Sequence, residues 1–392
     1  MKILYLHQVP FNNRRANVIQ VLQMCQGFAG SDVDVTLALP AHAGSNGRDT
    51  LLKEIESELG RTPQFDIRCF PKRFFGDAFK GLGAYLGARR LIHHFRGEVD
   101  FCFVRSIFLA RLALRHGMKV IYESHGSTLH HRLKLLDRIY RKRLIALSKD
   151  RNLILFVAIS HALANIWKMR GIPGDKIMAL HDGVSSEAFQ KTIERQEARK
   201  RLRMDPDGKI VVYAGSLYQD RSIDTILRLA RIHETVRFYV VGGPESGKVR
   251  YLRETKEMGL GNVVFTGRIP HSLVKWYLFA ADVLLMLWSR QVPTIHICSP
   301  LKVFEYMAAE RIIVGHGFPT IREVLNDGET AFLSDPDSFE DLKDKLERAL
   351  QITLPHPMAI RARKKALQSY TWESRAYQII GAAKCRISDI SA

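Results

Sequence analysis

The feature that most constrains this chain is an alternation running nearly its whole length. Short apolar runs of four to seven residues are each followed by a longer amphipathic stretch. In the first half the runs are K-I-L-Y-L, V-D-V-T-L-A-L, F-D-I-R-C-F, D-F-C-F-V, K-V-I-Y-E, L-I-L-F-V-A-I and K-I-M-A-L. In the second half they are I-V-V-Y-A-G, R-F-Y-V-V-G, N-V-V-F-T-G, D-V-L-L-M-L, R-I-I-V-G and T-A-F-L. Near-continuous apolar strands separated by helical stretches, such as Ala16–Phe28 and Leu129–Leu147, predict an α/β fold with parallel sheets. The pattern lapses at H-D-G-V-S-S-E-A-F-Q and the charged stretch Glu194–Arg203. We therefore expect one domain over residues 1–182, a linker over 183–208, a second domain over 209–368 and a terminal segment over 369–392.

Length and composition narrow the class. The chain has 392 residues and is 46% hydrophobic, enough for two large cores. Its five cysteines are scattered without metal-ligand spacing, which argues against a zinc site or a disulfide framework and for a reducing compartment. The opening M-K-I-L-Y-L-H-Q turns polar too soon for a signal peptide, and no apolar stretch approaches the length of a membrane span. A cytoplasmic chain is expected. The formal charge of +19 is concentrated in residues 1–185, which hold 28 Lys and Arg against 15 Asp and Glu. Such a field favours anionic partners, although basic residues on helices also serve simply as a solvated face.

In open parallel sheets, ligands bind beyond the carboxyl ends of the strands, so the loops after strands carry the functional candidates. A-G-S-L-Y-Q-D-R-S-I-D ends a strand at Gly215 and enters a helix from Arg221. The glycine lets the backbone approach a ligand, and Arg221 is suited to clamp a phosphate. The same residues also suit an ordinary tight turn with a solvated arginine. V-V-G-G-P-E-S-G-K-V approaches a P-loop through Gly242, Gly247 and Lys248, but Val249 stands where that motif needs a hydroxyl. No G-x-G-x-x-G follows a predicted strand, which leaves a nicotinamide or flavin site without support. In S-P-L-K-V-F-E-Y-M-A, Ser299 is the expected N-cap and Pro300 the first helical residue. Lys302 and Glu305 then share a face, with Leu301, Phe304 and Ala308 facing the core. The pair suits a diphosphate and a ribose diol, or equally an exposed ion pair contributing under about 1 kcal/mol.

The succession A-G-S-L-x-x-x-R, V-V-G-G, F-T-G-R-I-P, A-A-D-V-L-L-M-L, S-P-L-K-V-F-E-Y-M-A and I-R-E-V-L-N-D-G resembles the group 1 retaining glycosyltransferases. That family is the glycogen-synthase-like and bacterial mannosyltransferase-like class. V-A-I-S-H-A-L, G-I-P-x-D-K-I, D-G-V and S-Y-T-W agree with it elsewhere in the chain. The resemblance implies a GT-B fold, with two Rossmann-like domains facing each other across a cleft and a terminal helix over 369–392 crossing back to the first. It implies a nucleotide-sugar donor, UDP- or GDP-linked, bound mostly by the second domain, and an acceptor bound by the first. Gly215, Ser216, Arg221, Arg268, Ile269, Ser299, Leu301, Lys302 and Glu305 would bind the donor. His125, in Y-E-S-H-G, would lie beside the transferred sugar, and His125, Arg221 and Lys302 would carry the chemistry.

Two departures stand out. Ser216 replaces a usual arginine, and Ile297 falls where the family's first glutamate contacts the donor sugar, leaving Ser299, His296 or backbone amides to remake that contact. No D-x-D pair lies on a suitable loop, so neither a metal nor another cofactor is expected. The implied reaction is a retaining, front-face transfer of a hexosyl group to a lipid-linked or oligosaccharide acceptor, as in lipopolysaccharide or other polysaccharide synthesis. A non-catalytic nucleotide-sugar- or glycan-binding subunit and a sugar-nucleotide epimerase are the alternatives. Two basic stretches, Phe70–Arg90 and His130–Leu144, suit peripheral contact with an anionic membrane surface. Leu133, Leu136, Ile139 and Tyr140 would otherwise pack on the sheet. With no recognised nucleic-acid motif, nucleic acid is not an expected partner.

Overall fold

A computed structural model of the chain describes residues 1–11, 16–40, 47–70, 80–127, 134–218 and 221–391. They form two compact units. One comprises Met1–Asp182, Ile297–Ser299 and Trp372–Ala392; the other comprises Gly183–His296 and Pro300–Thr371.

The described residues of the first unit build a parallel sheet from β1 (Lys2–Leu6), β2 (Asp34–Pro40), β3 (Asp66–Phe70), β4 (Phe101–Val104), β5 (Val120–Ser124), β6 (Leu153–Ala158) and β7 (Ile177–Ala179). Their order is β3-β2-β1-β4-β5-β6-β7, which reverses direction between β1 and β4. The central strands are buried on both faces, as their unbroken apolar runs require. Trp167 anchors this core: its indole N–H donates to Ser124 Oγ at 2.9 Å, and its ring meets Phe156 edge-on. The terminal helix Trp372–Ser391 packs on the helix Ala16–Ala29. Gly27 permits the approach, since a Cβ there would lie 2.5 Å from the Trp372 carbonyl oxygen.

The second unit has β8 (Ile210–Ala214), β9 (Arg237–Val241), β10 (Val263–Gly267), β11 (Val283–Met286), β12 (Ile312–His316) and β13 (Phe332–Ser334). Their order is β10-β9-β8-β11-β12-β13, with the reversal between β8 and β11. Both sheets therefore have the doubly wound topology, whose ligand position is the strand-end side of the reversal. Every apolar run read as a strand is one.

Residues 183–208, expected as a linker, belong to the second unit and contain the helix Arg195–Leu202. Arg199 is fully buried there, 2.7 Å from Asp282 and donating to the carbonyls of Ala280, Pro206 and Gly208. A polar segment is thus fixed by a buried ion pair rather than by an apolar stripe. Ser299 is not an N-cap. Pro300 takes the cap position with extended backbone, and the helix runs Leu301–Ala308. The Ser299 hydroxyl instead accepts from the Asp182 amide at 2.8 Å.

Candidate functional site

In the second unit, the strand ends around the β8–β11 reversal gather one cluster. Tyr306 fixes the register, its hydroxyl accepting from the Ala214 amide at the end of β8 at 2.7 Å. The helix carrying Lys302 and Glu305 is thereby pinned to the strand that leads into Gly215. Lys302 Nζ lies 4.1 Å from the centre of the Tyr213 ring and 5.1 Å from that of Trp288. Arg221 Cζ lies 4.6 Å from the same Trp288 ring. Two cations, one from the loop after β8 and one from the helix Leu301–Ala308, therefore rest on one indole. Two cations gathered over aromatic faces at the strand ends are an arrangement that suits a diphosphate. The carbonyl of Trp288 accepts from His316 Nδ1 at 2.7 Å, and burial lowers the pKa of that histidine.

Glu305 is buried and does not face solvent as a surface charge would. Its Oε1 lies 2.6 Å from Nε2 of His271, the first residue of the helix His271–Ala280. That helix follows the Arg268–Ile269 segment, in which Arg268 is exposed and Ile269 partly buried. The P-loop-like run forms no P-loop: Pro244 starts the helix Glu245–Glu257, and Gly247 and Lys248 fall in its first turn. Gly243, at φ +90°, backs onto Leu217 of the Arg221 loop, where a Cβ would come within 2.4 Å. The Ser216 carbonyl accepts from the Tyr213 hydroxyl at 3.4 Å. The structure thus gathers Arg221, Lys302 and Trp288, with Gly215 and Glu305 on the elements that carry them. Gln219 and Asp220 of the loop lie outside the described residues.

In the first unit, His125 follows β5 and its Nε2 lies 2.5 Å from Glu123 Oε1. Glu123 is 1% exposed and meets Arg375 Nη2 at 2.8 Å and Arg105 Nε at 3.5 Å. Burial opposes its ionisation, but Arg375, His125 and Arg105 outweigh it and hold the carboxyl well below the usual range. Burial, then Arg105, lowers His125 to about 4 against the pull of Glu123. His7, after β1, is buried with both ring nitrogens unpartnered among the described residues. Its pKa falls to about 3 through burial, then through Arg105 and His125. Asp182 rises to about 7, chiefly through burial. Ile297 packs in this unit's core, and its carbonyl accepts from Ser160 Oγ at 2.9 Å. Ser299 is engaged with Asp182, whereas His296 is exposed beside Phe318.

Sequence reasoning missed Trp288, His271, Glu123 and Arg375. Two signals were available. Trp288 stands just past a strand end, and Glu123 is two residues before His125, which puts both on one face. Nothing local announces Arg375, which reaches Glu123 across more than half the chain.

Two family models match the chain: Glycosyltransferase Family 4 over residues 18–188 and Glycosyl transferases group 1 over residues 208–351. The chain belongs to the group 1 glycosyltransferases, with the GT-B fold. It is 23% identical over 219 residues to the lipopolysaccharide 1,2-N-acetylglucosaminetransferase of Salmonella typhimurium, covering 52% of this chain and 55% of that protein. The match thus spans about half the length of that curated relative. Among solved structures it resembles Anabaena HepE in complex with UDP, with TM-score 0.75, 16% identity, and coverage of 98% of this chain and 100% of that one. Sucrose-phosphate synthase from Thermosynechococcus elongatus also has TM-score 0.75, at 13% identity and 99% coverage of each chain.

Proposed function

We propose that this chain transfers a hexosyl group from a UDP-sugar to a lipid-linked or oligosaccharide acceptor, with retention of configuration. The observation carrying this reading is the shared seat of Arg221 and Lys302 on Trp288, with Glu305 on the same helix as Lys302. As the bond from the anomeric carbon to the donor phosphate breaks, the leaving diphosphate takes the electron pair, and the two cations stabilise its charge in place of a metal. The acceptor oxygen bonds the same face of the anomeric carbon, and its proton passes to the departing phosphate. Glu305 receives the ribose hydroxyls, and His125 is assigned to a sugar hydroxyl. UDP is favoured over GDP by the likeness to HepE, whose structure contains UDP.

The lipid-linked acceptor is supported by the helix Lys134–Ser148, although residues 130–133 of the basic stretch and 71–79 of the other lie outside the described residues. Asp137 and Leu144 face inward, whereas Leu135 is 69% exposed and Leu136 and Ile139 are also exposed. Packing on the sheet therefore does not account for the apolar residues Leu136 and Ile139. With exposed Lys134, Arg138, Lys142 and Arg143 they make a surface suited to anionic lipid headgroups. A non-catalytic nucleotide-sugar-binding subunit is the second reading, favoured by the apolar Ile297 at the first glutamate position and its place in the core. Nucleoside-diphosphate release across a donor panel, with and without membrane extract, separates the two. Conversion of free donor without acceptor would instead indicate an epimerase.

A further inference from the structure

Behind His125 lies a buried set of charges that the proposed transfer does not itself explain. Glu123 holds His125 Nε2 at 2.5 Å, and the carboxylate is enclosed by guanidinium groups from two other elements. Arg105, after β4, also donates to the Asn17 carbonyl at 3.1 Å. Arg375, from the terminal helix, is fixed by donating to the His181 carbonyl at 2.9 Å. Burying a carboxylate is unfavourable unless it is paired, and two arginines with one histidine are a large commitment for a single strand residue.

The groups facing the ring are Glu123 on β5, His7 after β1, Arg105 after β4 and Arg375 from the terminal helix. Both arginines disfavour an imidazolium, and Glu123 stays ionised between them. A neutral ring beside an ionised carboxylate must carry its proton on Nε2, which leaves a lone pair on Nδ1. No group among the described residues hydrogen-bonds that Nδ1.

We infer that Glu123, held by Arg375 and Arg105, is a positioning residue that fixes His125 as the neutral Nε2–H tautomer and presents Nδ1 as an acceptor for a sugar hydroxyl. In this form His125 orients a hydroxyl and supplies no positive charge to the diphosphate. The terminal helix thereby acts on the site histidine through Arg375. The sugar as ligand rests on the function proposed above; the tautomer rests on the Glu123 contact and on the burial and arginines around the ring.

The test is a proton–nitrogen correlation spectrum of the histidine rings, assigned with His125→Gln, in the full chain between about pH 5.5 and 8. It is recorded for the wild type, Glu123→Gln and Arg375→Lys. The wild type is expected to hold the His125 proton on Nε2 throughout, and Glu123→Gln to populate both tautomers, because its amide can donate or accept. With a turned-over donor, Glu123→Gln should lower kcat about tenfold with little change in donor KM, and Arg375→Lys, which keeps the cation, should lie near wild type. An Nδ1–H or imidazolium form in the wild type over this range overturns the inference, as does an unchanged tautomer in Glu123→Gln. Should that variant not fold, the wild-type spectrum still decides. If no donor is turned over, the transfer reading fails while the tautomer result stands.

Discussion

Replacing Trp288 by leucine keeps an apolar side chain after β11 and removes the surface shared by two cations. Arg221 loses an aromatic contact at 4.6 Å, whereas Lys302 loses one at 5.1 Å and keeps Tyr213 at 4.1 Å. A cation–π contact contributes roughly 0.5–2 kcal/mol according to its exposure, and these are partly buried. The change should therefore cost about 1–2 kcal/mol of diphosphate binding, or about 5–30-fold in Kd. Titration calorimetry with UDP, UMP and uridine measures it, with thermal unfolding of the apo chain to confirm that the fold persists. The loss should be greatest for UDP, smaller for UMP and negligible for uridine. Arg221→Ala in the Trp288→Leu background should cost less than Arg221→Ala alone, because the two act through one contact. Equal weakening of uridine would make Trp288 a base-stacking residue, and unchanged UDP affinity would remove the cation seat from the account.

Glu305→Ala should weaken UDP by about tenfold and 2′,3′-dideoxy-UDP far less, because the carboxylate recognises hydroxyls; equal losses would remove it from the ribose contact. For pH, His7 at about 3 and His125 at about 4 both lie below the ordinary 6.5, so the unfolded chain binds up to two more protons between about pH 6.5 and 4. Asp182, raised to about 7, gives the folded chain one extra proton across that window and so offsets one of the two, and stability should still fall on acidification. His7→Gln should flatten this slope in urea unfolding, and an unaltered slope would contradict the assignment. Flotation with anionic liposomes should recover the chain at low salt, and Leu135→Asp with Leu136→Asp should abolish recovery; no wild-type binding would leave the exposed face without its lipid partner.

The sheets were legible because each buried parallel strand must be an apolar run, and no competing element accounts for so many runs separated by helical stretches. The gathering of the second-unit cations was legible for a related reason: segments that follow the strands of a parallel sheet share its strand-end side, and Arg221 and Lys302 both lie on such segments. What stayed hidden depends on long-range partners. Glu194–Arg203 looks like a solvated linker until Asp282 is seen to bury Arg199. Ser299 followed by proline looks like a helix cap until Asp182 takes its hydroxyl. Ile297 looks like a lost ligand, and its core packing and carbonyl bond to Ser160 give that apolar residue a structural role. Arg375 lies on an amphipathic terminal helix that gives no sign of a buried carboxylate partner.

The measurement that bears most directly on the central claim is nucleoside-diphosphate release from a panel of UDP- and GDP-sugars, with acceptor-containing membrane extract and a metal chelator present. The account predicts release from a UDP-sugar, dependent on extract, indifferent to the chelator and abolished in Arg221→Ala/Lys302→Met. Tight UDP binding without release from any donor would contradict it.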